Sequence, residues 1–569
     1  MLMSKAKGIS ASASLPFLPH SLNSAMVFLV LKAVAICALS WVVHIILQRF
    51  SRLSAFKNLP GPPAKSLWKG VLPQVFNVNA WSFQKEMGEK YGGVVKLTGF
   101  LGDVQLYVFD PVAMHHIVLK DQNSYEEVES FMALIQVLFG GGLLGTSGEQ
   151  HKKQRKMLNP VFSIAHMREM VPTFYTVTHK LRDAFLKKVE GGPQEVEMVS
   201  WMTRTALKLV GQSGFGFSFD PLTEDGITHP YSEAAKRVVP LVFKMFISRN
   251  YLLPTLMKIG TPELRRFFVD LLPWKHLHDI RDVVNVLRNT SAEILESKEK
   301  ALAAGDGALA QQIGQGKDIL SILLKANMSA SHGDRLSEEE VLSQITSLTF
   351  AAMDTTSSAL SRTLWLLASN QDVQDKLRSE LREATKQGDL AYDELSQLPY
   401  LDAICRETLR LYPPGPTVGR TTLQDSVLPL SHPIRGLDGK EMHEVFVPKH
   451  TEITLSILSS NTNPEIWGSD SYEWKPERWL SSMPDTVTAA HIPGVYSHLM
   501  TFLGGGRSCI GFKFAQLEMK VVLSLLIPTF KFSPSGKEIV WQMTEIITPT
   551  TAGNKTLTPE LPLIIEIAA

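Results

Sequence analysis

The sequence predicts a mainly α-helical domain with small β-sheets, preceded by one N-terminal transmembrane helix. Beyond residue 63, apolar residues recur mostly at helical spacing. Short apolar or alternating runs at residues 94–97, 105–109 and 561–567 predict the strands. Residues 26–47 form an apolar run of about the length that a helix needs to cross a bilayer. These observations divide the chain into an N-terminal segment, residues 1–58, and one folded domain, residues 59–569.

The apolar run indicates an uncleaved membrane anchor. Lys32 interrupts it near one end, where its long stem can reach the headgroups. Arg49, Arg52 and Lys57 follow the run, at the place where a cleaved signal peptide would carry small residues. These basic residues outnumber the two lysines upstream of the run, so the positive-inside tendency predicts that the domain faces the cytoplasm. A cleaved signal peptide is the alternative.

Composition excludes several classes of protein. Hydrophobic residues make up 44% of the chain and charged residues 20%, which is typical of a folded protein with a large core. The formal net charge of +1 provides no overall field that would attract nucleic acid. Three cysteines, Cys37, Cys405 and Cys509, are too few and too widely separated for a disulfide framework. The folded part is therefore expected in a reducing compartment.

A long helix is predicted over residues 337–370. Ser337 and Glu340 fit a capping box at its start, and no proline or glycine interrupts it. With a rise of about 1.5 Å per residue, it would be roughly 50 Å long and would cross the whole domain. Its middle, residues 351–358, reads Ala-Ala-Met-Asp-Thr-Thr-Ser-Ser, which is polar for a buried helix. These groups either face solvent, or bond to the helix's own carbonyls, or form a site at mid-helix.

The loop around Cys509 carries the clearest chemical signal. Residues 501–511 read Thr-Phe-Leu-Gly-Gly-Gly-Arg-Ser-Cys-Ile-Gly, and a helical stretch, residues 512–526, follows. Glycines permit positive φ and a close approach of the backbone, and the N–H groups at a helix start stabilise a thiolate. Arg507, two residues earlier, suits an anionic group nearby. The alternative is a structural cysteine, the usual role of a lone buried thiol.

The pattern Phe502-x-x-Gly505-x-Arg507-x-Cys509-x-Gly511 resembles the haem-binding signature of the cytochrome P450 family. This resemblance implies the cytochrome P450 fold and haem b as the cofactor, with the Cys509 thiolate as the axial ligand to iron. It runs from about residue 59 to the C-terminus and is vague between about residues 172 and 330.

Two further motifs resemble the same family in its order along the chain. Glu407-Thr-Leu-Arg410 resembles the paired charges of the family's core helix. Pro476-Glu-Arg478-Trp resembles the segment that supplies a third charge. The resemblance therefore implies a structural charge network of Glu407, Arg410 and Arg478, although a Glu and Arg pair at this spacing is by itself common on helix surfaces.

The resemblance also implies a role for the polar middle of the long helix. Asp354 and Thr355 would be the acid and the alcohol that guide protons to dioxygen, whose cleavage needs two protons without free access of water. Ala352 stands where the family more often has glycine. The substrate pocket would be lined by five residues: Phe350, Ala351, Pro416, Thr417 and Val418.

Basic residues match family positions that bind the haem propionates. Arg507 and Arg420 are two of them, the latter at the end of Tyr-Pro-Pro-Gly-Pro-Thr-Val-Gly-Arg, residues 412–420. Residues 148–155, Gly-Glu-Gln-His-Lys-Lys-Gln-Arg, add Arg155 and His151, where the family usually has tryptophan at the histidine position. Imidazole can still donate a hydrogen bond. Residues 148–163 resemble fungal microsomal members most closely.

The source of electrons is expected to be a partner protein. Residues 140–145 satisfy the G-x-G-x-x-G pattern, but no acidic residue follows at the expected place, so we interpret them as a loop and predict no nicotinamide or flavin site. NADPH–cytochrome P450 reductase is the predicted donor, with cytochrome b5 as a further candidate. Lys152, Lys153, Lys156 and Lys513 form either a docking patch for it or an ordinary solvated helix face.

Together the motifs predict a monooxygenase that inserts one oxygen atom from dioxygen into a lipophilic substrate. The resemblance implies a single-pass protein of the endoplasmic reticulum membrane and a terpenoid or sterol-like substrate in fungal specialised metabolism. A haem-thiolate peroxide isomerase or lyase is the nearest rival, and a non-catalytic haem-binding sensor is a rival of a different class. Neither rival needs the proton-delivery pair Asp354 and Thr355.

Overall fold

The computed structural model describes residues 53–569 apart from residues 67, 225–228, 306, 309–312 and 555–557, together with residues 32, 36, 39 and 40. The chain separates into two units, Met1–Ala55 and Phe56–Ala569. The predicted membrane helix, residues 26–47, lies almost entirely outside the described residues, as does Cys37. Within the described part of the chain, no helix combines the length and the apolar character needed to span a bilayer.

Helices make up most of the second unit, as the sequence predicted. The α-helices are α1 Leu72–Val75, α2 Trp81–Lys90, α3 Pro111–His115, α4 Glu129–Phe139, α5 Gly148–Leu158, α6 Ile164–Lys188, α7 Met198–Leu209, α8 Pro230–Lys244, α9 Leu253–Leu256, α10 Pro262–Leu271, α11 Lys275–Ala303, α12 Ile319–Ser329, α13 Glu338–Ser369, α14 Gln371–Ala384, α15 Tyr392–Gln397, α16 Pro399–Leu411, α17 Ile457–Asn461, α18 Pro464–Trp467, α19 Asp485–Ala489 and α20 Phe512–Thr529.

The β-strands form small sheets, also as predicted. They are β1 Val94–Thr98, β2 Val104–Val108, β3 Tyr125–Glu126, β4 Gln194–Glu197, β5 Thr417–Thr422, β6 Ser426–Arg435, β7 Glu441–Val447, β8 Glu452–Ser456, β9 Phe530–Pro534, β10 Ile539–Gln542, β11 Thr548–Thr551 and β12 Pro562–Ile567. The largest sheet has the order β1-β2-β8-β5-β3, the next has the order β4-β12-β9, and β6-β7 and β10-β11 are hairpins. Strands therefore occur at all three places where the sequence predicted them.

Helix α13 is the long helix that the sequence predicted. The hydroxyl of Ser337 accepts a hydrogen bond from the backbone N–H of Glu340, whose carboxylate accepts one from the N–H of Ser337 in return, so the capping box is present. The helix packs against α7, α11 and α16 and against α20, which follows Cys509. Most of its residues are buried, so its polar middle lies inside the protein and not on a solvated face.

The glycine-rich turn at residues 140–145 connects helices α4 and α5, so it follows a helix and not a strand. A Cβ atom on Gly142 would lie 2.7 Å from the carbonyl oxygen of Ser343 in α13. The turn thus lies against α13, and this close packing explains the glycine at position 142.

Candidate active site

The motif around Cys509 contains two glycines, Gly505 and Gly511, and the backbone requires glycine at only one of these positions. Gly505 has φ of +67°, and a Cβ atom there would lie 1.7 Å from the carbonyl oxygen of Val118. Gly511 has φ of −91°. A Cβ atom on Gly511 would first meet Phe162, at 3.9 Å. Protein contacts therefore explain Gly505, whereas Gly511 borders an open cavity.

The Cys509 thiol faces an internal cavity. Part of the surface of Cys509 is accessible. The surrounding protein nevertheless buries the thiol enough to raise its pKa. A hydrogen bond from the backbone N–H of Gly511 and the charge of Arg155 act in the opposite direction and lower that pKa. The cysteine is therefore placed to ligate a group inside the cavity, and the helix start supplies a donor to its sulfur, as expected from the sequence.

The cavity has a volume of about 680 Å³ and joins the Cys509 loop to the middle of α13. The five predicted pocket residues all line it, as do Phe502 and Thr355. Phe502 is buried and its ring lies 6.1 Å from that of Phe512. Most of the remaining wall is aliphatic or aromatic. A cavity of this size and character accommodates lipophilic ligands.

Three arginines bring positive charge to the wall beside Cys509. Arg155 in α5 donates from Nη1 to the carbonyl oxygen of Ser508, at 2.7 Å, and from Nη2 to its hydroxyl, at 2.9 Å. Arg420 in β5 pairs with Glu127, and Arg507 pairs with Glu126, both at 2.7 Å.

These two glutamates were not found from the sequence. Glu126 ends strand β3 and Glu127 follows it, hundreds of residues from their partners along the chain, and no local pattern marks them. Burial raises the pKa of Glu127, while Arg420 and Arg507 lower it. The cluster contains three guanidinium groups and two carboxylates, so it carries an excess of positive charge.

His151 lies on the same wall, one helical turn before Arg155. Burial, followed by the positive charges of Arg507 and Arg155, lowers its pKa to about 4. The imidazole is therefore neutral at physiological pH. In this state it can donate one hydrogen bond but adds no charge.

The middle of α13 separates the two residues of the predicted proton-delivery pair. The hydroxyl of Thr355 lines the cavity and donates to the carbonyl oxygen of Ala351, at 2.8 Å. Asp354 is absent from the described residues that line the cavity. Burial raises the pKa of its carboxyl group to about 7, and the opposing charge of Lys236 in α8 lowers it. At neutral pH this carboxyl group is thus close to half protonated.

The structure brings Glu407, Arg410 and Arg478 together. Nε and Nη2 of Arg410 each donate to one carboxylate oxygen of Glu407, at 2.8 Å, and both side chains are fully buried. Nε of Arg478 lies 3.4 Å from Glu407 and its Nη1 lies 2.8 Å from Asp470. The indole N–H of Trp479 also donates to Glu407, at 2.9 Å. Sequence reasoning missed Asp470, and it gave no role to Trp479 although the quoted motif includes it.

This network is connected to the Cys509 loop. Arg410 donates to the carbonyl oxygen of Asn461, at 3.0 Å, and the side chain of Asn461 donates to the hydroxyl of Thr501, at 2.8 Å. That hydroxyl in turn donates to the carbonyl oxygen of Leu409 in α16, at 2.8 Å. The start of the loop is therefore held against the helix that carries the charge network.

The four lysines of the predicted patch lie on two elements next to the loop. Lys152, Lys153 and Lys156 are on α5, the helix that also carries Arg155, and Lys513 is on the first turn of α20. Lys152 pairs with Glu149, at 2.7 Å, and Lys153 donates to the carbonyl oxygen of Arg335, at 2.7 Å.

This domain is helical with small sheets, and its Cys509 loop opens into an apolar cavity that the polar middle of α13 also lines. These features define the haem-thiolate class of protein. The Cytochrome P450 family model matches residues 60–555. The chain therefore belongs to the cytochrome P450 family, as the sequence motifs predicted, and it is an enzyme, a cytochrome P450 monooxygenase.

Three similar proteins come from fungi. Cytochrome P450 monooxygenase 91 of Postia placenta is 52% identical over 94% of this chain and 98% of its own length. Ganoderic acid synthetase CYP5150L8 of Ganoderma lucidum is 42% identical over 95% of this chain and 99% of its own length. A Hericium erinaceus protein named cytochrome P450 monooxyhenase eriI is 37% identical over 90% of this chain and 94% of its own length.

The family's cofactor is haem, and the residues present fit it. The Cys509 thiol opens into the cavity, which the axial ligand of iron requires. The excess positive charge of the cluster formed by Arg155, Arg420 and Arg507 suits the two anionic propionates. The open space beside Gly511 and the ring of Phe502 provide room and an apolar surface for the macrocycle.

Proposed function

We propose that this protein inserts one oxygen atom from dioxygen into a lipophilic substrate with a terpenoid or sterol-like skeleton, using electrons from NADPH–cytochrome P450 reductase. The observation that carries the proposal is the apolar cavity of about 680 Å³, which has the Cys509 thiol on one wall and the Thr355 hydroxyl on another. Substrate, cofactor and proton donor can therefore meet in one space that protein encloses.

In this proposal Cys509 ligates the haem iron, and Arg155, Arg420 and Arg507 hold the propionates. When bound through a thiolate, haem supplies the activation of dioxygen, for which two electrons and two protons are needed. The charge network of Glu407, Arg410 and Arg478 has a structural role, because it ties α16 to the start of the Cys509 loop.

Proton supply is assigned to the middle of α13. Thr355 is held by its bond to Ala351, so its hydroxyl has a fixed position at the cavity wall. Asp354 exchanges protons readily near neutral pH, because burial raises its pKa to about 7. Since Thr355 is among the described residues that line the cavity and Asp354 is not, we assign Asp354 to the uptake of protons, and Thr355 to their delivery.

The substrate class is supported by the wall and by one relative. Phe350, Ala351 and Val418 belong to a wall that is mostly apolar, and apolar walls bind apolar skeletons through the hydrophobic effect. The relative that is named ganoderic acid synthetase, with 42% identity, supports a terpenoid skeleton.

Membrane association of the catalytic unit is supported by a group of exposed apolar residues. They lie on α9, on α10 and in the connection between them: Leu256, Ile259, Leu264, Phe267, Phe268 and Leu271. Large exposed apolar patches mark interaction sites for membranes or proteins. We infer that this surface supplements the N-terminal anchor on the endoplasmic reticulum, with the catalytic unit in the cytoplasm.

The reductase surface is assigned to α5 and the first turn of α20. Lys152 and Lys156 are exposed on the helix that carries Arg155, so positive charge lies next to the Cys509 loop. Such charge steers an acidic flavoprotein toward the thiolate side of the cofactor.

The proposal is tested by the Thr355→Ala variant, coexpressed with the reductase and assayed with a panel of terpenoids and sterols. We expect NADPH consumption to continue while product falls by about 10-fold or more, because a positioned proton donor contributes on the order of 10² in rate. The missing product should be replaced by hydrogen peroxide. Mass spectrometry of products and a peroxide assay measure both quantities.

Thr363→Ala is the matched control, because the Thr363 hydroxyl makes the same bond in the same helix, to Ala359 at 2.8 Å, without lining the cavity. Its ratio of product to NADPH should equal that of the wild type. Product formed from a lipid hydroperoxide without NADPH or dioxygen, and unchanged in Thr355→Ala, would instead establish the peroxide isomerase.

A further inference from the structure

A second charged feature lies on the cavity wall, apart from the Cys509 loop. Arg249 is in a π-helical turn, Ser248–Leu252, between α8 and α9, and Glu545 is in the turn between β10 and β11. Nη2 of Arg249 lies 2.5 Å from Oε1 of Glu545. Both residues line the cavity, so this ion pair connects two segments across its wall.

The ion pair with Glu545 leaves one nitrogen of the Arg249 guanidinium group without a hydrogen bond. Nε of Arg249 is sealed from solvent and has no hydrogen-bond partner. In other arginines of the described residues, Nε and Nη2 each donate a hydrogen bond to one oxygen of the same carboxylate. This happens in three pairs: Arg168 with Asp393, Arg204 with Asp220, and Arg410 with Glu407. Arg249 therefore retains a donor suited to a second carboxylate oxygen.

The two partners differ in how firmly they are held. The side chain of Arg249 is 12% exposed and that of Glu545 is 37% exposed. The guanidinium group lies 5.4 Å from the ring of Phe246, which itself contacts the ring of Phe76 at 4.7 Å. Glu545 borders water, so its carboxylate can be hydrated when it turns away from Arg249. Arg249 would then be left on an apolar wall without a counter-ion.

The other arginines that line the described cavity already have bonding partners beside Cys509. Within the described lining, Arg155, Arg420 and Arg507 are bonded to Ser508, Glu127 and Glu126, and all three belong to the cluster beside Cys509. Arg249 makes no described bond to that cluster. It is thus the cation on the wall that a substrate can reach without competing with the cofactor.

We propose that Arg249 is a carboxylate-binding residue, and that this enzyme accepts a lipophilic carboxylic acid as its substrate. The two oxygens of the ligand carboxylate take Nε and Nη2 of Arg249, while Glu545 turns outward. The apolar skeleton fills the rest of the cavity and is held in one orientation toward Cys509. This assignment rests on the proposed function, because the ligand is the molecule that is oxidised.

The experiment compares acids with their methyl esters on the haem-loaded full chain in microsomes. The probes are abietic acid and methyl abietate, which are polycyclic, and palmitic acid and methyl palmitate, which are linear. Affinities are taken from the spectral shift of the haem on ligand binding, at a pH where the acids are ionised. The ratio of acid to ester affinity is compared between variants, so that differences in membrane partitioning cancel.

We expect at least one acid to bind more tightly than its ester in the wild type, and Arg249→Met to lower this ratio about 10- to 100-fold, the range of a charge-assisted hydrogen bond pair. Glu545→Gln should raise the ratio, because it removes the competing carboxylate. Arg168→Met, which removes a surface arginine outside the cavity, is the charge-matched control and should leave the ratio unchanged. The acid that responds shows whether the skeleton is polycyclic or linear.

Several results overturn the inference. An equal effect of Arg249→Met on acid and ester would indicate that Arg249 only shapes the cavity, and it would refute the inference. Equal binding of acid and ester by the wild type, or no spectral response to either acid, would refute the inference as well. If Arg249→Met fails to load haem, Glu545→Gln decides: an unchanged ratio overturns the inference. In each of these cases, NADPH-dependent product from neutral terpenoids would still support the proposed monooxygenase function. That function would instead fail if the haem-loaded wild type formed no product from any substrate.

Discussion

Removal of the Arg410 guanidinium group should destabilise the protein and prevent stable loading of haem. In Arg410→Ala, the fully buried carboxylate of Glu407 would lose two hydrogen bonds of 2.8 Å. The carbonyl oxygens of Asn461 and Ser471 would lose donors at 3.0 Å and 2.6 Å. Glu407 would keep the indole N–H of Trp479, at 2.9 Å, the backbone N–H of Lys475, at 3.0 Å, and, as a charged partner, Arg478 at 3.4 Å.

The magnitude follows from this loss. Breaking a buried ion pair by removing one partner costs about 3–5 kcal/mol when the remaining charge is left uncompensated, and the partners that Glu407 keeps place the expected cost near the lower end of this range. A native protein is typically stable by only about 5–15 kcal/mol, so roughly a fifth or more of the stability would be lost. Because Asn461 also holds Thr501, the start of the Cys509 loop should loosen at the same time.

The assay measures the free energy of unfolding in denaturant and the fraction of protein with a haem-thiolate spectrum. Arg168→Ala is the matched control, because Arg168 uses the same two nitrogens to bind Asp393, at 3.0 Å, but both side chains are more than half exposed. It should cost about 1 kcal/mol or less. If Arg410→Ala loaded haem fully and lost no more stability than Arg168→Ala, the buried network would have no structural role.

Further predictions concern the ligand, the buried acid and the anchor. Cys509→Ser should abolish the thiolate spectrum of the reduced, carbon-monoxide-bound protein, because a hydroxyl is a poor anionic donor to iron; an unchanged spectrum would refute the assignment. Asp354 has its pKa raised to about 7 by burial, so the folded state holds the proton more tightly than the unfolded state, and stability falls as pH rises toward 7. Asp354→Asn should therefore gain stability relative to the wild type by on the order of 1 kcal/mol per pH unit between about pH 5 and pH 7, measured by denaturation at each pH. If the free energy of unfolding changed with pH in the same way in both proteins, the raised pKa of Asp354 would be contradicted. Deletion of residues 1–52 should move much of the protein from the microsomal pellet to the supernatant, with some retained by the exposed apolar residues of α9 and α10. Finding the full chain entirely in the supernatant would disprove the anchor.

Local features of the site could be predicted from the sequence because neighbouring residues decide them. The capping box of Ser337 and Glu340 and the bond from Thr355 to Ala351 depend only on helical spacing, and both are present. The need for glycine at position 505 likewise belongs to the tight turn before Cys509. Motifs confined to a few residues also sufficed to identify the family.

The tertiary structure alone decided which distant charges meet and where the buried side chains point. Arg420 pairs with Glu127 and Arg249 with Glu545, although each pair lies hundreds of positions apart, because the packing of sheets and helices sets those distances. Asp354 and Thr355 are adjacent in sequence, yet only Thr355 lines the described cavity, because successive residues of a helix point about 100° apart. Ion pairing and access to a cavity depend on distance through space, and no local sequence pattern encodes that distance.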